Sequence, residues 1–121
     1  MTATANVLSP VELAAYRRDG FLVRERVFSD VEIVTFQDAA ERASARAIAL
    51  CRRGQTYLLD GKRFVDVGHM TVQFEHSPGS ELVKVIEPVH ELDPAFDALV
   101  DDPRMVVPMR QLVGSDRVAL G

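Results

Sequence analysis

The chain has 121 residues, room for one domain with a modest core, and its 47% apolar and 26% charged composition is ordinary for a globular protein. A net charge of -4 without a basic stripe excludes the usual nucleic-acid binders. No apolar run approaches the roughly 18 residues that span a bilayer. The one cysteine, Cys51, excludes a disulfide framework and a cysteine-based zinc site, and it points to a reducing compartment.

Residues 1–7 are small and polar and lack the basic-then-apolar layout of a secretory signal. They read as a disordered lead to a cytoplasmic protein, with a single α+β domain over 8–121. Ser9, Pro10, Val11 and Glu12 spell a capping box with proline at the first helical position. Leu13, Tyr16 and the alanines give that helix one apolar side, and Gly20 supplies its left-handed stop. Phe21, Leu22 and Val23 begin an extended run that predicts a strand as far as Phe28. Ser29 and Glu32 repeat the capping box and open a helix over 30–53. Ile33, Val34, Phe36, Ala40, Ala43, Ala47 and Leu50 recur along it at helical spacing, and Gly54 is its expected stop. Arg42, Arg46 and Arg53 share one side of this helix and read as a solvated face.

The middle of the chain changes character. Residues 56–59 and 63–67 flank Asp60 and Gly61, a strong hairpin signal. Residues 71–76 alternate, with Val72, Phe74 and His76 on one side and Thr71, Gln73 and Glu75 on the other. Residues 77–80 read as a turn and 82–86 as another strand. Asp93 with Pro94, and Asp102 with Pro103, each read as a cap and first turn of a short helix. The second should reach Val113 and stop at Gly114, with a kink or early break at Pro108. Residues 117–120 look like the first residues of a strand, so the chain reads as interrupted within an apolar segment.

The three histidines, His69, His76 and His90, are the first candidates for chemistry. A mononuclear iron site takes two histidines and one carboxylate, commonly with a histidine and the carboxylate two apart on one strand face. None of the three has Asp or Glu two residues later. Asp66 and Glu87 are carboxylates with no recognisable partner, and Cys51 near a helix end reads as an inert thiol. No nucleophile elbow, phosphate loop or dinucleotide fingerprint is present.

Taken in order, residues 8–10, 16–23 and 27–29 and the long helix that follows resemble the start of the phytanoyl-CoA dioxygenase family. Val85, Ile86, Glu87, Pro88, Val89 and His90 continue the likeness, as do Asp93, Pro94, Ala95 and Phe96, then Asp102, Pro103 and Arg104, then Leu112, Val113 and Gly114. The resemblance covers most of residues 8–120. It implies an α+β fold: the N-terminal helices and first strands of a double-stranded β-helix, or jelly roll, truncated before the metal-binding core. It also implies an Fe(II)- and 2-oxoglutarate-dependent oxygenase that hydroxylates a small organic substrate. The family's His-x-Asp pair, distal histidine and co-substrate arginine fall after the point where this sequence stops. No catalytic, cofactor-binding or metal-binding residue is therefore assigned, and the chain alone is expected to be inactive and to bind neither iron nor 2-oxoglutarate. Gln73, His76 and Lys84 are the candidates for contact with substrate. Two alternatives are a self-sufficient, non-catalytic binding or interaction domain and an independent metal enzyme built on the three histidines.

Overall fold

The computed structural model describes residues 6–77 and 79–119. Helix α1 (Pro10–Asp19) starts on the expected box: the Glu12 N–H donates to Ser9 Oγ at 3.1 Å, and the Ser9 N–H donates to Glu12 Oε1 at 3.0 Å. Helix α2 (Asp30–Cys51) opens on the same pair of bonds between Ser29 and Glu32. Between them the predicted strand over 21–28 does not form. The segment belongs to no sheet, bends at 27–28, and Arg26 takes φ 55°. A strand needs a neighbour for its backbone groups; this segment is tethered by a side chain instead, Arg24 donating to Glu12 and to the carbonyls of Asn6 and Val7. Asn6, within the expected disordered lead, is 5% exposed, whereas residues 1–5 lie outside the described residues.

Strands β1 (Gln55–Leu59), β2 (Lys62–Val67), β3 (Met70–Phe74) and β4 (Val83–Glu87) form one antiparallel sheet in the order β1-β2-β3-β4. Asp60 and Gly61, at φ 51° and 74°, make the two-residue turn of the β1–β2 hairpin. Met70, Val72 and Phe74 are buried while Thr71 and Gln73 are half-buried, so β3 alternates as expected. It stops at Phe74, where the pairing with β4 slips, and His76 lies beyond it in solvent. The Ser80 N–H donates to the Ser77 carbonyl across the expected turn, of which Pro78 lies outside the described residues.

Helix α2 covers one face of the sheet, Ala43 and Ala47 packing with Val65, Met70, Val72 and Phe74. Ala39 completes the buried stripe in place of Ala40, which sits about 100° further round the axis. Gly54 does not end α2, which closes at Cys51; it permits contact with β2 instead. A Cβ there would lie 2.6 Å from Val65 Cγ1 and 2.7 Å from the Asp66 carbonyl oxygen. After β4 come a 3-10 turn (Val89–Glu91), α3 (Pro94–Val100) and α4 (Pro103–Val113), both helices capped by the expected aspartates. Helix α4 runs unbroken through Pro108, since the proline forfeits one internal bond and both helix ends are capped. Residues 117–119 pair with no strand, and Leu120 lies outside the described residues.

Candidate functional site

Among the described residues the most deeply buried polar side chain is that of Asp93, 2% exposed. Its carboxylate caps α3 by accepting the Ala95 N–H at 3.0 Å and also accepts Arg42 Nε at 2.8 Å and Nη2 at 3.2 Å. The Arg42 guanidinium holds the Asp93 carboxyl below its ordinary range. Arg46, one turn along, donates to the Leu92 carbonyl. Arg42, Arg46 and Arg53 are all exposed, as a solvated face predicts, and Arg42 and Arg46 in addition clamp residues 92–93 to α2. The clamp fixes the 3-10 turn, whose Glu91 Oε2 lies 2.6 Å from Nε2 of His69 at the β2–β3 turn.

This arrangement borders a groove of about 590 Å³ between the β3–β4 ladder and helices α3 and α4. His69, Thr71, Glu87 and His90 give it a polar side, and Phe96 and Met105 an apolar one. Thr71 faces Asp66 across the ladder and donates to its Oδ1 at 2.8 Å, while the Tyr57 hydroxyl donates to the same oxygen at 3.2 Å. Asp66 therefore has partners that the sequence alone does not reveal. Partial burial, then the Asp66 carboxylate, raise the Tyr57 phenol above its ordinary value.

Gln73, His76 and Lys84 do not line this groove. They gather at the other end of the β3–β4 ladder. Gln73 is half-buried opposite Val85, His76 is exposed just past β3, and Lys84 is exposed where the register slips. The Glu75 N–H donates to the Leu82 carbonyl at 2.9 Å and closes the loop that carries His76, between the strands that carry Gln73 and Lys84. His69 and His90 share the groove, with His76 away from both. Among the described residues no group of three His, Cys, Asp or Glu is placed to hold a metal ion, so the residues present do not fit an iron centre. Burial pushes the thiol of half-buried Cys51 up, with Arg63 opposing. Among the described residues no helix is long and apolar enough to cross a membrane.

The described chain is thus an α+β scaffold, one antiparallel sheet backed by a helix and edged by short capped helices. It is similar to ectoine dioxygenases. Over 112 residues, 93% of its length, it is 34% identical to the ectoine dioxygenase of Bordetella bronchiseptica. Over the same length it is 33% identical to that of Bordetella parapertussis. The matched stretch is 30% of each relative, so the chain spans under a third of the length of the curated relatives it matches. No family model and no solved structure matches the chain.

Proposed function

We propose that this chain is the N-terminal scaffold of an Fe(II)- and 2-oxoglutarate-dependent dioxygenase of the phytanoyl-CoA dioxygenase family. The complete form would hydroxylate ectoine or a small molecule of the same chemistry. The observation that carries this is 34% identity sustained over 93% of the chain against an ectoine dioxygenase. The fold supports it: a four-stranded antiparallel sheet with helices on one face suits the opening strands of a jelly roll. The iron ligands belong to the remainder of such a protein, and the chain alone is inactive. Its part is to back the sheet and to present Gln73, His76 and Lys84 near the substrate entrance. The free thiol of Cys51 suits a cytoplasmic setting.

The test is the reading frame that follows codon 121, expressed joined to this chain. With Fe(II), 2-oxoglutarate and ectoine, the product should form a compound one oxygen heavier than ectoine. Gln73→Ala in that protein should raise KM several-fold. A stop codon with no His-x-Asp in frame beyond it, or a full-length product that leaves ectoine untouched, overturns the proposal.

A second reading, a self-sufficient interaction domain, is favoured by a core that closes within the chain, Phe74, Val65 and Val72 being at most 2% exposed. Cooperative melting of the 121-residue chain as a monodisperse species would support it, and a molten product would exclude it.

A further inference from the structure

The face of the sheet away from α2 is ordered in two rows. Strand pairing sets Gln55, Asp66, Thr71 and Glu87 side by side across all four strands. Tyr57, Phe64, Gln73 and Val85 make the next row along. Alternation turns both rows away from Val65 and Val72, which pack under α2. One row is aromatic at its β1 end, where the Tyr57 and Phe64 rings stack with centroids 5.6 Å apart and planes 10° from parallel. The other row is anionic. Asp66 accepts from Thr71 and Tyr57 through Oδ1, which leaves Oδ2 open, and the Glu87 side chain makes no hydrogen bond among the described residues. Neither carboxylate has an ion-pair partner among those residues.

We propose that this face is the wall that recognises the substrate's cation. Tyr57 and Phe64 form the shelf on which a planar, delocalised amidinium lies, and the carboxylates of Asp66 and Glu87 accept its N–H groups. Ectoine, the proposed substrate, is a cyclic amidine, and its protonated N–C–N unit has that shape and that sign. In the proposed jelly roll α2 occupies one face of this sheet, so the second sheet lies over the other. A dry interface between sheets does not suit two uncompensated carboxylates, whereas a cavity that holds a cation does. The inference rests on the dioxygenase reading for that second sheet and for the substrate; the charge and the aromatic shelf belong to this chain.

Calorimetric titration of the protein as its gene encodes it tests the wall with benzamidine, a planar amidinium, against its neutral isostere benzamide. Benzamidine should bind about tenfold more tightly. Glu87→Gln should remove about tenfold of that affinity and leave benzamide unmoved. This side chain has no bond to lose, so the variant should fold as the parent does. Asp66→Asn, which keeps an acceptor for Thr71 and Tyr57, should act alike, and Tyr57→Leu should cost about threefold. In turnover of ectoine, Glu87→Gln and Asp66→Asn should raise KM about tenfold while kcat and KM for 2-oxoglutarate hold. Benzamidine binding that depends on Glu87, in a protein that leaves ectoine untouched, supports the cation site and overturns the dioxygenase reading. Ectoine turnover whose KM ignores both variants overturns the site and keeps that reading. Benzamidine bound no better than benzamide overturns the site whatever the protein does to ectoine.

Discussion

The sheet with α2 and the layer made by α1, residues 21–28 and α4 are held by different forces. Under α2 the contacts are apolar and closed: Val65, Val72 and Phe74 are 1%, 0% and 2% exposed. In the other layer Phe21 and Val23 remain 64% and 69% exposed, and charged clamps make the cross-links. Both capping-box glutamates serve twice there. Glu12 caps α1 and takes Arg24 at 2.7 Å; Glu32 caps α2 and takes Arg104 at 2.7 Å. Arg104 also grips Asp102 and lies 4.5 Å over the Phe28 ring. The layer encloses a groove of about 840 Å³ rather than a packed interior. One region is therefore stabilised by burial, which pH leaves untouched, and the other by charges that a titration can remove.

That contrast breaks if the sheet tolerates truncation. Phe74→Ala removes a side chain that packs under α2 and carries the Arg63 guanidinium 3.9 Å above its ring. It should cost about 4 kcal/mol in urea unfolding at neutral pH. Gly54→Ala comes next, at about 2 kcal/mol, because its Cβ would meet a backbone oxygen at 2.7 Å that cannot swing aside. A near-neutral Gly54→Ala would mean that the α2–β2 junction is looser than the contact distances imply.

The two regions were also unequally legible in the sequence. Capping boxes, the Asp-Gly hairpin and the alternation at β3 are local signals, set within a few residues; the first two lie where the sequence predicts, and the alternation holds for Val72 and Phe74 but ends before His76. What escapes is whatever depends on a partner far along the chain. The segment 21–28 has the apolar residues of a strand but no neighbour to pair with. Arg42 and Arg46 sit at the spacing of a solvated helix face, and nothing local shows that Arg42 also reaches Asp93, 51 residues later, and Arg46 the Leu92 carbonyl, 46 residues later. The candidate site suffers in the same way. Gln73 could be placed on an open strand face from alternation alone. The pairing of His69 with Glu91 across 22 residues has no local signature. A buried aspartate that is also a helix cap, with two arginines one helical turn apart, is the signal that could have found the clamp.

Asp93 is where the two kinds of force meet, a buried carboxylate satisfied by a cap and by Arg42. Asp93→Ala should lower Tm by about 5 °C, with the loss concentrated in α3. Hydrogen exchange checks this: the amides of α3 should speed up while those of β2 and β3 keep their protection. Uniform acceleration would instead make the clamp part of the sheet's own core.

The smallest expected effect is the most diagnostic of the charged layer. Arg24, bonded through Nε and Nη2, and the Ser9 N–H hold the Glu12 carboxyl down at about 2 from an ordinary 4.5. A depressed carboxylate contributes stability that is fully present above its unfolded value and is lost as pH falls through its folded one. The window is therefore pH 4.5 down to about 2. Glu12→Gln retains a side-chain acceptor for the Ser9 N–H but loses the charge that Arg24 reads. With the pair about a quarter exposed, solvent screening limits the difference to about 1 kcal/mol at pH 7. Urea midpoints of the wild type and Glu12→Gln should differ most at neutral pH, converge below pH 4.5 and coincide near pH 2. A gap that stays constant across that range would show that Glu12 acts by shape and hydrogen bonding alone, and the division between a burial-held sheet and a charge-held layer would fail at its clearest point.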